Sequence, residues 1–205
     1  MQVLGQSLKI QESYFACIKR KIMDKFELRK EKKEKAHLIT LVLLALYLTL
    51  FENMIPKPFP WMKLGLANLS TIIAIRNFGP KMGIKVFLLR VFVQALVMGT
   101  LATPSFVISF SAGLASTLLM IFLFKYDKIF SVVAISSLAA VVHNIVQLIT
   151  VYFLLFRGIN LYSKSVFIFV FIFILTGWIS GAILGIGLNK FEKNRLSFDN
   201  KLEVN

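Results

Sequence analysis

Charged residues are absent from three long stretches of this 205-residue chain. No Asp, Glu, Lys or Arg occurs in residues 91–124, 129–156 or 165–188, and only 17% of all residues are charged. Soluble domains carry about 25% charged residues, whereas a helix that spans a membrane needs about 20 consecutive apolar residues. These absences exclude an ordinary soluble domain and predict an integral membrane protein.

Cysteine and acidic residues are also scarce. The single cysteine, Cys17, excludes an internal disulfide and has no metal-site spacing around it. Ten acidic residues stand against 24 basic ones, which gives a net charge of +14. In a membrane protein this excess is typical of basic cytoplasmic loops rather than of nucleic-acid binding. The first apolar run begins near Leu38 without a small-residue cleavage site behind it, so no cleavable signal peptide is expected.

The apolar runs predict an all-α fold, an integral membrane bundle of six transmembrane helices. The second helix is expected to be short, because its twelve residues before Arg76 rise only about 18 Å against a hydrocarbon core of about 30 Å. A membrane domain at 36–189 would then lie between a basic N-terminal tail at 1–35 and a C-terminal tail at 190–205. The predicted spans are 36–55, 64–76, 82–101, 105–124, 129–156 and 165–188.

The basic residues predict the orientation of these spans. Six spans place both termini on one side, and eighteen Lys and Arg residues from Lys19 onward fall on that side against four on the other. The positive-inside rule therefore predicts cytoplasmic termini in a bacterial-type plasma membrane. The tail at 1–35 mixes both charges with apolar residues, which suits either a helix on the anionic membrane surface or a solvated, partly disordered segment.

Several polar side chains interrupt the predicted spans. An ionisable group at the centre of a membrane helix costs at least about 2.5–3.5 kcal/mol, so each requires a structural or functional reason. Arg90 and Gln94 are four residues apart, as are His143 and Gln147, so each pair shares one helix face. In the predicted orientation they lie between the midplane and the outer half of the membrane, where a solute from outside would bind. The candidate substrate-binding residues are Glu52, Asn53, Asn68, Arg90, Gln94, His143, Asn144 and Gln147.

A structural role is the alternative for each of these side chains. Arg90 could neutralise Glu52 or bond to backbone carbonyls, His143 could form an interhelical hydrogen bond, and Asn68 could brace or cap the short helix.

The segment "PKPFP" before the second helix cannot form regular helix, because proline removes a backbone donor and restrains its predecessor to extended shapes. It is either a stiff lid over a cavity or a rigid connector with an interfacial tryptophan. The candidate gate residues are Pro56, Pro58, Phe59, Pro60 and Trp61.

Small residues recur at spacing four on three of the spans, a pattern typical of close helix contacts. They include Gly177, Gly181 and Gly185 in the sixth span and Ala45 and Thr49 in the first. Each set can pack inside the bundle, which is favoured for the fourth and sixth spans, or can dock another membrane subunit.

Three ordered motifs, "PFPWMKLGLANLSTIIAI", "LLRVFVQALVMGTLATPSFVISFSAG" and "AAVVHNIVQL", resemble the Gx transporter family, whose members are often labelled heptaprenyl diphosphate synthase component I. The resemblance covers residues 38–190. This family looks related to the S components of energy-coupling factor (ECF) importers, six-helix membrane proteins that capture a vitamin or similar small molecule outside the cell.

The resemblance implies a fold like that of an S component and a role as the substrate-binding subunit of an ATP-driven importer. It implies that Pro56–Trp61 form the gate and that Ala45 and Thr49 form the docking face for a transmembrane coupling subunit. Position 49 is a threonine, whereas the docking pattern of the S components has alanine there. ATP would be used by partner ATPase subunits, because the chain has no "GxxxxGK[ST]" motif, and no cofactor is expected to bind it directly.

The enzyme label suggests two other functions. Prenyl diphosphate elongation uses clustered aspartates to hold magnesium, but Asp24, Asp127 and Asp199 are isolated from one another. Catalysis by this chain is therefore not expected, although it could be a non-catalytic membrane subunit of heptaprenyl diphosphate synthase in isoprenoid biosynthesis. A membrane scaffold without a ligand is the third reading, and it would tolerate Arg90→Ala and His143→Ala.

Overall fold

The computed structural model describes residues 2–54, 65–126, 128–155 and 164–203. All regular secondary structure in these ranges is helical, which confirms the all-α prediction. The six helices are α1 (Gln2–Met54), α2 (Asn68–Phe78), α3 (Pro80–Val97), α4 (Pro104–Phe124), α5 (Val132–Leu155) and α6 (Lys164–Glu203).

Four helical segments are long and apolar enough to cross a membrane: Lys25–Glu52, Pro104–Phe124, Val132–Leu154 and Val166–Phe191. The remaining two helices differ from them in length or charge. Helix α2 has 11 residues, and α3 has 18 residues but carries Lys81, Lys85 and Arg90. The structure is therefore a helical membrane protein with four clear candidate spans and a shorter α2–α3 pair. As predicted, the second helix is short.

The long helices α1 and α6 continue beyond the predicted boundaries of the membrane domain. Helix α1 begins at Gln2, within the predicted N-terminal tail, and α6 continues to Glu203, within the predicted C-terminal tail. A hydropathy pattern indicates where the apolar segment of a helix ends. It does not indicate where the helix itself ends, because backbone hydrogen bonding can continue through polar residues.

The chain forms two compact units, Met1–Thr40 and Leu41–Asn205. The first unit holds the N-terminal part of α1. In it, Glu31 and Lys35 form an exposed ion pair at 2.7 Å, one helical turn apart. Exposed pairs of this kind contribute little to stability, because both groups are well solvated when separated.

In the second unit, α5 packs against α4 and α6, while α2 packs against α3 and α4. The buried apolar side chains where these helices meet form one cluster: Ile72, Ile75, Met120, Leu123, Ile135, Ala139 and Leu188.

The glycines of α6 lie against α5. A methyl group built on Gly181 would lie 2.7 Å from both the Ser136 carbonyl oxygen and the Ser137 Cα, and one on Gly185 would meet the Cα of Val133. Backbone atoms cannot move aside as a side-chain tip can. The small residues of α6 therefore pack inside the bundle, as the sequence pattern favours.

Helices α2 and α3 form a hairpin around Gly79. Its backbone has φ +87° and ψ 176°, a conformation that is essentially restricted to glycine. The Gly79 N–H donates to the Ile75 carbonyl at 2.9 Å and closes α2, and Pro80 begins α3 with its ring in the first turn, where a missing N–H is harmless. One residue thus reverses the chain direction and fixes the register of the two helices.

Large apolar side chains cover much of the outer surface of the second unit. In α6 the segment Val166–Phe191 contains an 18-residue window with a mean hydropathy of 2.5, yet few side chains in that window are buried, and Phe171, Trp178 and Ile183 are exposed. A surface this apolar is typical of a lipid-facing helix.

Candidate functional site

Five of the predicted site residues line one small cavity, here called the polar cavity. Glu52 comes from α1, Asn68 from α2, Arg90 and Gln94 from α3, and His143 from α5. The structure thus brings these five polar side chains together in one place. The other lining residues are Thr49, Gly65, Ala67, Val91 and Ser109.

The α2–α3 hairpin explains why Asn68 meets Arg90. Both residues are eleven positions from Gly79, one before it and one after it. Eleven residues of helix rise about 16 Å, so an antiparallel pair places the two residues side by side at the same height. The Arg90 Nη1 donates a hydrogen bond to the Asn68 Oδ1 at 3.1 Å.

Arg90 is the most tightly enclosed cation of the described chain, with 4% of its surface exposed. The Glu52 carboxylate attracts its guanidinium group, and the ring of Phe87 lies 5.8 Å from the guanidinium carbon, within cation–π range. Its Nε has no hydrogen-bond partner among the described residues. Because guanidinium has five N–H donors, Arg90 retains capacity to bind a further acceptor.

His143 reaches the cavity from α5 and is 6% exposed. Its Nδ1 lies 3.5 Å from the Ser116 Oγ of α4, and that hydroxyl also donates to the Gly113 carbonyl at 3.0 Å. The roles of donor and acceptor in the histidine contact depend on the imidazole tautomer. A neutral imidazole can offer the cavity either a donor or an acceptor, which makes this position adaptable to different polar ligands.

Asn144 and Gln147 lie outside the lining of the polar cavity. The Asn144 amide donates to the Phe173 carbonyl of α6 at 2.8 Å and contacts Gly177, so it joins α5 to α6. Gln147 is buried, with 1% of its surface exposed. The placement of Asn144 among the site residues is not supported by this geometry, and the physical reason is the helical repeat, which turns neighbouring residues about 100° apart.

Two further predictions concern segments near α1. The gate residues Pro56, Pro58, Phe59, Pro60 and Trp61 and the side chain of Asn53 lie outside the described residues. The proposed docking residues Ala45 and Thr49 are both buried, with 0% and 4% of their surface exposed. A partner would reach these two side chains only after neighbouring helices move apart, so their docking role stays a prediction.

Two residues with polar side chains line the cavity but were not predicted as part of the substrate site. Thr49 was expected to dock a partner, although it shares a helix face with Glu52 three residues later, which is a signal for the same lining. Ser109 lies in α4, whose small residues were expected to pack inside the bundle. Serine and threonine are hard to assign from sequence, because their hydroxyls often bond within their own helix, as the Thr49 Oγ1 does to the Ala45 carbonyl at 2.9 Å.

The polar cavity brings together side chains that can donate and accept hydrogen bonds. It combines one carboxylate, one guanidinium, two amides and one imidazole in a volume of about 30 Å³. A single water needs about 10–15 Å³ of such space, so the cavity has room for two or three waters and is too small for an organic solute. Among the described residues, no group of three or more His, Cys, Asp or Glu is placed to hold a metal ion.

The chain was compared with known proteins. A family model described as heptaprenyl diphosphate synthase component I matches residues 41–191. No curated protein matches the chain, and no solved structure does so. The matched range is most of the chain and contains every residue that lines the polar cavity. It agrees with the resemblance to the family that carries this label, and the chain belongs to the heptaprenyl diphosphate synthase component I family.

Proposed function

We propose that this chain is the substrate-binding membrane subunit of an ATP-driven importer, and that the polar cavity is the closed form of its binding site. The observation that carries the proposal is the convergence of buried polar side chains from α1, α2, α3 and α5 on one cavity that includes the buried cation Arg90. Desolvating so many polar groups in a membrane bundle is costly, and a ligand that meets them accounts for that cost.

The proposed topology has six membrane segments, with α2 and α3 entering the membrane as a hairpin. From Lys19 onward, eighteen basic residues on the side of the termini against four on the other support cytoplasmic termini in the plasma membrane. The polar cavity then lies in the outer half of the membrane. The helices must separate for a solute to enter, because organic ligands occupy pockets of about 300–1,000 Å³.

The proposed solute is small and either anionic or strongly polar. A carboxylate or phosphate oxygen on the ligand would satisfy the Nε of Arg90 through a charge-assisted hydrogen bond. Gln94 and His143 would supply further contacts from neighbouring positions. Energy would come from partner ATPase subunits and a transmembrane coupling subunit, the arrangement found in ECF importers.

Mass spectrometry of small molecules retained by the purified full-length protein tests this proposal. We expect a retained polar solute whose amount falls tenfold or more in Arg90→Ala and in Gln94→Leu, because both lose polar contacts in the cavity. Lys85→Ala is the matched control, since Lys85 is an exposed cation on the same helix and does not line the cavity.

The second variant, Gln94→Leu, is needed because Arg90→Ala removes the cation that attracts the buried Glu52 and can therefore unfold the protein. Full retention of the solute in a folded Gln94→Leu variant would contradict the proposed site. Absence of any retained solute, together with normal folding of Arg90→Ala and His143→Ala, would instead favour a scaffold without a ligand.

The family match favours a second candidate function, that of a non-catalytic membrane subunit of heptaprenyl diphosphate synthase. Co-purification separates the two. An associated ATPase and coupling subunit supports the importer, whereas a soluble prenyltransferase supports the synthase subunit.

A further inference from the structure

A second, larger cavity lies where α2 ends and α3 and α5 begin. It has a volume of about 520 Å³, within the range that organic ligands occupy. We call it the basic-end cavity, because Arg76 at the end of α2 and Lys125 at the end of α4 both line it. It shares no residue with the polar cavity.

The described part of the basic-end cavity is positively charged. Both charged residues among its described lining residues are cations. Asp127 is the only acidic residue in the sequence between Glu52 and Glu192. The cavity therefore favours an anionic group near Arg76 and Lys125.

The remaining wall of the basic-end cavity is largely apolar. Ile75 and Ile135 of the buried cluster form part of it, and Phe124 and Phe130 pack against the same cluster. A free inorganic anion would leave this apolar wall in contact with water. A molecule with an anionic head and a hydrocarbon chain would cover both kinds of surface.

We propose that the basic-end cavity binds an anionic phospholipid, with the phosphate between Arg76 and Lys125 and acyl-chain carbons against the apolar wall. Such lipids surround any bacterial membrane protein, and each Lys or Arg near an anionic lipid surface adds measurably to the attraction. The proposal is independent of the importer function, because it concerns a different cavity and different residues.

Native mass spectrometry of the full-length protein, titrated with phosphatidylglycerol and with phosphatidylcholine, tests this site. We expect phosphatidylglycerol to bind more tightly, and its affinity to fall about tenfold or more in the double variant Arg76→Gln/Lys125→Gln. The matched control is Lys81→Gln/Lys85→Gln, which removes two exposed cations of α3 that do not line the cavity. An equal loss in the control would overturn the proposal, because the preference would then reflect general surface charge.

A second variant tests the apolar wall without changing the charge. Asn189 is an exposed residue of α6 that lines the cavity, so Asn189→Trp should fill the cavity and lower phosphatidylglycerol binding. Unchanged binding in this variant would contradict the assignment to the cavity. A competition experiment with inorganic phosphate distinguishes a lipid site from a site for a free anion. If phosphate does not displace phosphatidylglycerol, the phospholipid assignment is supported. Displacement by phosphate at equal concentration would instead assign the site to a free anion.

Discussion

At the scale of single residues, position on a helix decides which polar group faces the cavity. His143 and Asn144 are neighbours in the sequence and both are buried, yet one lines the polar cavity and the other bonds to the Phe173 carbonyl. The sequence showed that both side chains are unusual in an apolar helix. It did not show which neighbouring helix each would face, because that depends on the packing around α5.

The bond from Arg90 to Asn68 gives a prediction at this scale. Asn68→Ala should lower the stability of the folded protein by about 1–3 kcal/mol, because a buried cation loses its hydrogen-bond acceptor. Thermal unfolding followed by circular dichroism would measure the loss. Asn77→Ala, at an exposed position of the same helix, is the control and should leave the melting temperature nearly unchanged. Equal shifts for the two variants would show that the Asn68 contact adds no stability.

At the scale of helices, glycines determine where two helices can approach each other closely. Gly181 permits α6 to contact the backbone of α5, and Gly79 permits the reversal between α2 and α3. The spacing of the α6 glycines predicts a tight contact but not its partner, because a stripe of small residues fits any helix of suitable shape. The register of the α2–α3 hairpin follows more directly from the sequence, since a Gly-Pro turn between two helices leaves few ways to pair them.

A pair of glycine substitutions in α6 tests the role of this contact. Gly181→Ala should destabilise the protein by about 1–3 kcal/mol, because the new methyl group would overlap backbone atoms of α5. Gly187→Ala is the matched control: a methyl group there meets nothing within 4 Å, and alanine favours helix by about 0.5–1 kcal/mol over glycine. The melting temperature should therefore fall in the first variant and stay level or rise in the second. A rise in both would mean that α6 is not held against α5 at Gly181.

At the scale of the whole molecule, the two cavities lie at different levels of one bundle. The basic-end cavity involves the ends of α2 and α4 and the starts of α3 and α5, so successive helices from α2 to α5 alternate in direction. The polar cavity involves the end of α1 and later turns of α3, farther along the bundle. In the proposed topology the two cavities face opposite sides of the membrane.

Cysteine labelling tests that topology. In a Cys17→Ser background, Ala102→Cys lies between α3 and α4 and Lys128→Cys lies between α4 and α5, both at exposed positions. An impermeant maleimide added to intact cells should label position 102, and position 128 only after permeabilisation, because the positive-inside rule places the basic loop in the cytoplasm. The opposite pattern would turn the polar cavity toward the cytoplasm and remove the basis for uptake from outside.

The sequence by itself determined the membrane class, the short second helix and the approximate limits of the apolar spans in α4, α5 and α6, because apolar runs without charge have one stable environment. It also singled out five of the ten residues that line the polar cavity, including both charged ones, since a buried ionisable group is costly wherever it lies. The sequence did not determine that the polar cavity has the volume of only two or three waters, that Asn144 belongs to the α5–α6 contact, or that a larger basic cavity lies elsewhere in the bundle. Only the tertiary structure decided these points, because each depends on the distance between neighbouring helices and on their relative rotation. The sequence of a single helix specifies neither quantity.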